Sequence, residues 1–338
     1  MSCHRIGLVV HEGRAAAVDA ARLVREWAAA RDIPVTQLDV WSHDAQRRSA
    51  ADEAAAGGHP DLVVTIGGDG TLLRGVRIAV RDDAPVLGVS VGRVGFLTEI
   101  QPAEVETALE AYASGRAIIE TRLLIGMRAS RPLTIPPGIE ALLQYGRGPL
   151  LPPPGCRPDA AALDGYALDV TALNDVVFEK LARDRQADLG VYIEGQLFEA
   201  YSADAVIVGS PTGSTAYSFA AGGPVLSPRL RALIFTPVAP HMVFNRSLVV
   251  SGDEGVGVRV LDGSGPVVVS VDGQLRGVLD PGDWIDVHVA PRSARLVRLR
   301  PPRFYDRLRQ RFALAAAPAI GADGVPQTMT TPSHGPTR

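Results

Sequence analysis

LVVTIGGDGT, residues 62–71, is a short β-branched run followed directly by a glycine-rich loop. The run is short enough to be a strand buried on both faces of a parallel sheet, where ligands bind at the carboxyl ends of the strands. Glycines let the backbone approach a ligand closely, and the N–H groups that begin a following helix can face phosphate oxygens. Asp69 could then bind Mg²⁺ or accept a hydroxyl proton. Taken alone, the loop could instead be a tight turn in which Asp69 or Thr71 caps the helix.

Strands and helices alternate on both sides of this loop. The hydrophobic periodicity predicts strands over 5–10, 35–40 and 86–91, and helices over 17–28, 71–80 and 104–113. This alternation over about the first 115 residues implies a parallel, Rossmann-like sheet.

The second half has a different pattern. From about Arg122, valine-rich segments are separated by Asp-Gly, Glu-Gly and Gly-Asp turns, as in 190–198 and 266–289. Such a pattern predicts a β-rich, largely antiparallel structure. A proline-rich stretch between Arg131 and Asp164 cannot pair within a central strand, so we expect a surface excursion there.

The predicted fold class is therefore α/β plus all-β, and 338 residues suffice for two ordinary domains. We predict a Rossmann-like α/β domain at 1–120, which carries the GGDGT loop, and a β-rich domain at 121–295, which carries the proline-rich insertion at about 131–164. A C-terminal segment at 296–314 is predicted to return to the first domain. The tail at 315–338 is predicted to be disordered.

Composition excludes several classes of function. The formal net charge is −3, from 34 Lys and Arg against 37 Asp and Glu, so no basic excess points to nucleic acid. The first twenty residues carry several charges and no later stretch is apolar enough for a membrane span, which predicts a cytoplasmic protein with no membrane partner.

Two distant cysteines form neither a disulfide framework nor a metal-ligand spacing. Lys180 is the only lysine of the sequence, and no P-loop string is present.

A second glycine-rich turn, GVSVGRVGFLT at 88–98, follows the next predicted strand. Two neighbouring strand ends form a crevice in an open α/β sheet. Taken alone, this segment is better explained as an ordinary turn.

Two segments of the β-rich half also carry polar groups. Asn174 and Asp175 lie within an apolar run, where an amide can bind an adenine edge and a carboxylate can bind ribose hydroxyls; alone, an Asn-Asp turn is the simpler explanation. SPTGSTAYS at 210–218 is dense in small hydroxyl residues that can crowd a polar ligand, and Thr212 or Ser214 is predicted to cap a helix there. A bare helix start is the alternative.

With these four segments in their order, the sequence resembles the NAD kinase family from about Ile6 to Phe312. GGDGT alone is moderately specific, because lipid kinases share it and phosphofructokinases have a close variant, whereas PTGSTAY is strongly specific. The segments 241–250 and 270–274 add to the similarity. The resemblance implies the two-domain fold of NAD kinases and diacylglycerol kinases.

The resemblance also implies an activity, namely transfer of a phosphoryl group to the 2′-hydroxyl of the adenosine ribose of NAD, giving NADP. ATP with Mg²⁺ is the implied donor, and inorganic polyphosphate is an alternative that some bacterial members accept. NAD and ATP are then the small-molecule partners, and a homo-oligomer, dimer or tetramer, is expected by analogy.

By the same resemblance, Asp69 is the catalytic acid/base or hydroxyl-orienting group. Residues implied in binding NAD are Gly70, Phe96, Asn174, Asp175, Asp204, Thr212, Thr215, Ala216 and Tyr217. Residues implied in binding phosphates or ATP are Gly67, Gly68, Thr71, Gly92 and Arg93. No metal ligand is assigned. Without a P-loop lysine, Arg93 or Arg246 could help to neutralise the triphosphate.

Three positions depart from the family pattern: Asp175 replaces a frequent Glu, Ala205 a Gly and Ser247 a Pro. None of these departures removes a reacting group, so they bear on affinity and donor choice.

Two other functions are alternatives to an NAD kinase: a lipid kinase of the diacylglycerol or sphingosine type, and a non-catalytic dinucleotide sensor. The NAD kinase hypothesis requires Asp69 and Tyr217 to face one nucleotide from opposite walls of a cleft.

Overall fold

The computed structural model describes residues 3–11, 13–41, 46–92, 95–139, 151–159, 165–182 and 184–314. Residues up to Pro302 form one compact unit, and a second unit begins at Arg303. The predicted disordered tail at 315–338 and the middle of the proline-rich insertion lie outside the described residues.

A parallel sheet begins the first unit. Its strands are β1 (Ile6–Val10), β2 (Val35–Gln37), β3 (Leu62–Gly67) and β4 (Val86–Ser90), in the order β4-β3-β1-β2. Strands β1, β3 and β4 are buried along their whole length, as expected of strands covered on both faces. The helices of this part are α1 (Ala15–Ala29), α2 (Ala50–Ala56), α3 (Asp69–Ala79) and α4 (Val105–Ala113). The predicted Rossmann-like half is thereby confirmed.

Helix α3 begins two residues earlier than predicted. Gly68 has extended backbone angles, φ −112° and ψ −169°, and is the N-cap residue, so Asp69 is the first helical residue. Neither Asp69 nor Thr71 is the N-cap. The Asp69 side chain is thus available for contacts outside its own helix.

The remaining strands are almost all antiparallel, as predicted. They are β5 (Ile118–Ala129), β6 (Cys156–Pro158), β7 (Tyr166–Leu168), β8 (Asp175–Lys180), β9 (Ala187–Ile193), β10 (Gln196–Ala203), β11 (Ala205–Gly209), β12 (Ala232–Val238), β13 (Leu248–Ser251), β14 (Val256–Val260), β15 (Val267–Val271), β16 (Gln274–Leu279) and β17 (Trp284–Arg298). One sheet has the order β13-β12-β11-β8-β15-β16. A second sheet has the strand order β10-β9-β14-β17 and continues into the parallel strands through β4. Strand β5 also pairs with β17, β7 pairs with β5, and β6 pairs with β7. Valine-rich faces of both sheets form one shared hydrophobic core.

Strand β17 connects the two halves. Its first part pairs antiparallel with β14 and β5, and Leu296 pairs parallel with Val86 of β4. The predicted domain limits near 120 and 295 fall inside β5 and β17, and these limits stay predictions. A short helix, α5 (Tyr217–Ala220), completes the first unit, and α6 (Phe304–Arg311) belongs to the second. Within the described part of the chain, no helix combines the length and apolarity that crossing a bilayer requires.

Candidate active site

The Asp69 carboxylate binds the loop that follows β4. Its Oδ2 accepts a hydrogen bond from the Phe96 N–H at 2.8 Å. Its Oδ1 accepts bonds from the Leu97 N–H at 3.2 Å, the Thr98 N–H at 3.0 Å and the Thr98 hydroxyl at 3.1 Å. A Cβ at Gly95 would overlap this carboxylate, so the close approach requires glycine. The two glycine-rich turns therefore meet, because β3 and β4 are neighbours.

With these bonds in place, the Asp69 carboxylate can still accept one more hydrogen bond. Each carboxylate oxygen offers two lone pairs, and Oδ2 accepts one hydrogen bond from the described residues. The side chain is half-buried and lies at the end of a buried strand. A substrate hydroxyl can donate to this oxygen without displacing the loop.

The backbone around Asp69 is open where phosphates are expected. A Cβ at Gly68 or Gly70 would meet nothing within 4 Å, and both residues are exposed. At Gly67, by contrast, a Cβ would overlap the buried Thr71 side chain. Gly67 and Thr71 thus pack the start of α3, while Gly68 and Gly70 leave room for a ligand.

The next predicted phosphate contacts are less completely described. Gly92 lies beside Arg14, whose Nη1 donates to the Val91 carbonyl at 3.4 Å. Arg93 lies outside the described residues. Arg246 is exposed.

A buried chain of ionic contacts joins the Asp69 loop to the hydroxyl-rich segment. Arg298 donates to the Leu97 carbonyl at 2.6 Å and to Glu120 at 2.7 Å. The other oxygen of Glu120 lies 2.8 Å from Arg122, which donates to the Thr212 hydroxyl at 3.3 Å. Arg298, Glu120 and Arg122 have side chains that are at most 12% exposed, so water screens these charges weakly.

The charges of this chain act on one another. Burial raises the pKa of Glu120, but Arg298 and Arg122 outweigh burial and hold that pKa below its usual value. Burial lowers the pKa of Arg122, while Glu120 and Asp69 oppose this shift. The sequence did not indicate a role for Glu120, Arg122 or Arg298, since nothing in the neighbouring sequence distinguishes these residues.

The Asn174-Asp175 segment is held by a buried carboxylate from a hairpin turn. Asp272 accepts bonds from the N–H groups of Leu173 at 2.9 Å, Asn174 at 2.7 Å and Asp175 at 3.3 Å. The backbone of Asp272 is left-handed, with φ 49°. Asp272 lies in a string that sequence analysis matched to the family without assigning it a role, and the structure shows that it positions the Asn-Asp pair.

Asp175 is buried beside Asp272. Burial, followed by the Asp272 charge, raises the pKa of Asp175 to about 7, while a hydrogen bond from the Tyr217 N–H opposes the shift. The folded protein therefore keeps a proton on this carboxyl that the unfolded chain releases at lower pH.

Asp175→Asn is expected to flatten the pH dependence of stability. Because the folded pKa is raised, the stabilising contribution of protonated Asp175 is present at low pH and is lost as the pH rises towards 7. The melting temperature of the wild type should therefore fall more between about pH 5 and about pH 8 than that of the variant. Asp253→Asn, which changes an exposed carboxylate that is 82% accessible, is the matched control. Equal slopes in all three proteins would contradict the buried-proton interpretation.

Serine side chains hold the hydroxyl-rich segment in place. Ser210 donates to the Leu173 carbonyl at 2.5 Å and accepts from the Gly213 N–H at 3.1 Å. Ser214 donates to the Pro211 carbonyl at 2.7 Å and accepts from the N–H of residue 226 at 2.9 Å. The prediction that Thr212 or Ser214 caps a helix with its side chain is wrong: the turn over 213–215 has no side-chain cap, because Ser214 is bonded elsewhere.

The hydroxyl-rich segment also packs directly on the Asn-Asp pair. A Cβ at Gly213 would overlap the Asn174 carbonyl, so this contact requires glycine. Thr215 donates to the Thr212 carbonyl at 3.3 Å, and Ala216 leads into α5. The two segments form one surface.

Tyr217 is 41% exposed at the start of α5. Burial raises its pKa, and Glu179, Asp175 and Asp204 raise it further. Asp204 pairs with Lys180 at 2.5 Å. The structure therefore brings the predicted residues of the β-rich half together, and Arg122 connects them to the Asp69 loop through Thr212. That Asp69 and Tyr217 contact one nucleotide stays a prediction.

Comparison with known proteins agrees with this geometry. Residues 6–117 match the model of the ATP-NAD kinase N-terminal domain, and residues 173–299 match that of the ATP-NAD kinase C-terminal domain. The chain is 63% identical to "NAD kinase 1" of Streptomyces avermitilis over 96% of this chain and 91% of that protein. It is 59% identical to "NAD kinase 1" of Streptomyces coelicolor, over 99% of this chain and 93% of that one.

Solved structures share the fold. Yeast NADH kinase complexed with NADH superposes with a TM-score of 0.68 at 20% identity, covering 93% of this chain and 88% of that one. An NAD kinase from Archaeoglobus fulgidus in complex with ATP has a TM-score of 0.62 at 22% identity, and the match covers 91% of this chain and 98% of that one. The fold and the sequence matches agree, and the chain belongs to the NAD kinase family.

Proposed function

We propose that this chain transfers a phosphoryl group from ATP to the 2′-hydroxyl of the adenosine ribose of NAD, giving NADP. The observation that carries the proposal is the buried chain of contacts from Leu97, whose N–H binds Asp69, through Arg298, Glu120 and Arg122 to the Thr212 hydroxyl. It links the GGDGT loop of one half to the hydroxyl-rich segment of the other. Membership of the NAD kinase family supports the same reaction.

Asp69 orients the acceptor in this proposal. The ribose 2′-hydroxyl donates to Oδ2, and its oxygen forms a bond to the γ-phosphorus while the bond from that phosphorus to the β,γ-bridging oxygen breaks and ADP leaves. The hydroxyl proton passes to Asp69 late in the transfer, because the transition state is largely dissociative. The chain's task is chiefly to position the two reactants.

Phosphates are proposed to lie over Gly68 and Gly70. The exposed backbone there faces open space, and the N–H groups at the start of α3 favour anionic groups. Gly67, Thr71, Gly92 and Arg93 remain predicted contributors to this site.

The chain fits Mg²⁺ bound mainly through the substrate phosphates. Among the described residues no group of three His, Cys, Asp or Glu side chains could hold a metal, and Mg²⁺ commonly uses one or two carboxylates plus phosphate oxygens. Asp69, at the start of α3, supplies a carboxylate beside the proposed phosphate position. Mg²⁺, when bound, neutralises charge on the transferred group.

NAD is proposed to lie on the surface formed by the two segments of the β-rich half. The proposed contacts are Gly70, Phe96, Asn174, Asp175, Asp204, Thr212, Thr215, Ala216 and Tyr217. Their polar groups supply the donors and acceptors that an adenosine needs, and exposed Tyr217 supplies a ring at its edge.

Tyr217→Ala is expected to weaken NAD binding with little effect on stability, because the ring is exposed. We expect the KM for NAD to rise roughly tenfold, the factor that corresponds to about 1.4 kcal/mol of lost contact, at nearly unchanged melting temperature. Tyr217→Phe, which keeps the ring, separates ring contact from hydrogen bonding. An unchanged KM in the alanine variant would remove Tyr217 from the site.

A matrix of donors and acceptors tests the reaction itself. Purified protein is incubated with ATP or inorganic polyphosphate as donor, and with NAD, NADH or a diacylglycerol dispersion as acceptor. NADP formation from NAD and ATP is the expected result. Phosphorylation of the lipid alone would favour a lipid kinase, and NAD binding without turnover under every donor would favour a dinucleotide sensor.

A homo-oligomer is also proposed. Leu197 and Phe198 of β10 are 58% and 41% exposed, and the Phe198 ring lies 5.5 Å from that of Phe244, which is 39% exposed. Contiguous exposed apolar groups on an edge strand favour pairing with a second copy. Dimer or tetramer, and the cytoplasmic location expected from composition, stay predictions.

A further inference from the structure

A large cavity lies apart from the residues assigned to NAD and ATP. It has a volume of about 720 Å³ and is lined by the start of α2, the residues after α3, and parts of β5, β7 and β17. A narrower recess adjoins it, sharing Ser49, Ala50 and 169–171 as walls. Of the residues proposed for the active site, none that the structure describes lines either space.

Three buried arginines meet in the recess with one buried carboxylate. Glu53 lies 2.5 Å from the Arg47 guanidinium and 3.4 Å from that of Arg77. Arg276 is 5% exposed, and no carboxylate of the described residues lies within 4.0 Å of it. Glu53 is thus shared by two cations, and the third is left without an anion.

Several guanidinium atoms of the recess also lack hydrogen bonds. The Nε atoms of Arg276 and Arg77 are buried without a partner among the described residues. Asp272, which acts on Arg77 electrostatically, already accepts three backbone hydrogen bonds. Burial of an unpaired cation is costly, so such an arrangement is expected where an anion binds.

The electrostatics of Arg276 agree with this geometry. Burial and the neighbouring charge of Arg77 lower the pKa of Arg276 to about 9, and Glu53 offsets them only in part. At neutral pH the side chain keeps its charge. A bound anion would relieve the repulsion between the two arginines.

The wider cavity continues the positive character. Across both spaces, eight arginines among the described residues face three carboxylates, although the whole chain has a net charge of −3. Arg81 and Arg157 on the cavity wall are exposed, and no ion pair of the described residues involves either of them. A volume of about 720 Å³ exceeds what a single phosphate needs.

We propose that the cavity is a second anion site that binds a chain of linked phosphates, with one end of that chain at the mouth of the recess lined by Arg276 and Arg77. The recess itself, about 20 Å³, has room for about one water molecule. Guanidinium groups bind phosphate oxygens in a bidentate fork, and linked phosphates supply the several charges that the arginines need. Arg77 follows Asp69 by eight residues in α3, which places the two about 12 Å apart along the helix axis. The site is therefore separate from the position where the phosphoryl group is transferred.

The source of the phosphates is distinguished by the probe. Inorganic tripolyphosphate and a nucleoside triphosphate share the triphosphate group, so both should bind if the arginines recognise phosphate alone. Tighter binding of the nucleotide to this site would mean that the cavity also holds the base and sugar.

The test is calorimetric titration of the full chain with inorganic tripolyphosphate at constant ionic strength. The wild type should bind saturably, and Arg276→Gln should raise the dissociation constant roughly tenfold or more, as expected for a lost charge-assisted contact. Arg231→Gln makes the same charge change at a side chain that is 62% exposed, and it should bind like the wild type.

A second variant guards against misfolding of the buried substitution. Arg81→Gln changes an exposed residue on the cavity wall and should weaken tripolyphosphate binding several-fold with an unchanged melting temperature. The proposal is overturned if the wild type shows no saturable binding, or if Arg276→Gln and Arg81→Gln both bind as tightly as Arg231→Gln. Because the readout is binding, either outcome is independent of whether NAD is phosphorylated.

Discussion

Asp69→Asn is expected to lower the turnover number roughly 10²–10⁴-fold, the span usual for loss of a group that accepts a proton in the transition state. The amide removes the negative charge and the free lone pair of Oδ2, to which the ribose hydroxyl is proposed to donate. Turnover and the KM for NAD should be measured together, because a change in turnover alone would locate the effect in the transfer step.

The hydrogen bonds of Asp69 make this variant more complex than a change of charge. If the oxygen of the asparagine amide takes the place of Oδ1, the NH₂ group of that amide takes the place of Oδ2 and faces the Phe96 N–H. Two hydrogen-bond donors then oppose each other where the wild type has a hydrogen bond of 2.8 Å. The loop at 95–98 would then shift. Loss of activity could arise from that shift as well as from lost chemistry.

Thr98→Val separates the two causes. It removes the 3.1 Å bond from the Thr98 hydroxyl to Oδ1 and the weak 3.4 Å bond that this hydroxyl accepts from the Gly95 N–H, but leaves the carboxylate and the three N–H groups that bind it. We expect turnover within about tenfold of wild type, since one hydroxyl bond contributes about 1 kcal/mol. If Thr98→Val were as inactive as Asp69→Asn, loop geometry would be the cause and the proton-accepting role of Asp69 would be refuted.

Glu120→Gln is expected to destabilise the fold by about 3–5 kcal/mol, the usual cost of removing one partner from a buried ion pair. Glu120 is bonded to both Arg122 and Arg298, so the neutral amide leaves Arg122 without an ion-pair partner among the described residues and leaves Arg298 with only Glu99, 3.8 Å away. Denaturant unfolding at neutral pH measures the loss. Glu26→Gln, at an exposed pair with Arg22 in α1, is the control and should change stability by at most about 0.5 kcal/mol.

The pH dependence gives a second measure of the same contact. Because its folded pKa is lowered, Glu120 stabilises the fold above the ordinary glutamate pKa, and this contribution is lost as the pH falls through the folded pKa. The wild type should therefore lose more stability on acidification than Glu120→Gln. Similar free energies of unfolding for wild type and variant at neutral pH would show that the contact contributes little.

Loss of Glu120 should also affect catalysis in the fraction that remains folded. Arg298 holds the Leu97 carbonyl within the Asp69 loop, and Arg122 holds the Thr212 hydroxyl. Releasing both would change the relative position of the two halves of the proposed site. A misplacement of about 1 Å is enough to reduce turnover strongly.

Much of the fold could be predicted because its signals are local. The β-branched run before GGDGT, the helical spacing of α1 and the valine-rich segments with Asp-Gly turns each occupy a short stretch, and the structure has the expected element at each. Errors occurred at element ends, where a single residue decides. Helix α3 starts at Asp69 because Gly68 adopts the N-cap conformation, and the turn at 213–215 has no side-chain cap because Ser214 is bonded to Pro211 and residue 226.

The sequence by itself determined the fold class, the family and the chemical groups available for phosphoryl transfer, since contiguous motifs such as GGDGT and PTGSTAY carry that information. Only the tertiary structure decided which groups pair. Glu120 and Arg298 are 178 residues apart, and they meet because β17 runs beside β5. Likewise, Arg276 has no carboxylate partner within the described part of the chain, because its neighbours Arg47 and Arg77 share Glu53. Coulombic contacts depend on distance and burial, and both arise only when distant strands become neighbours.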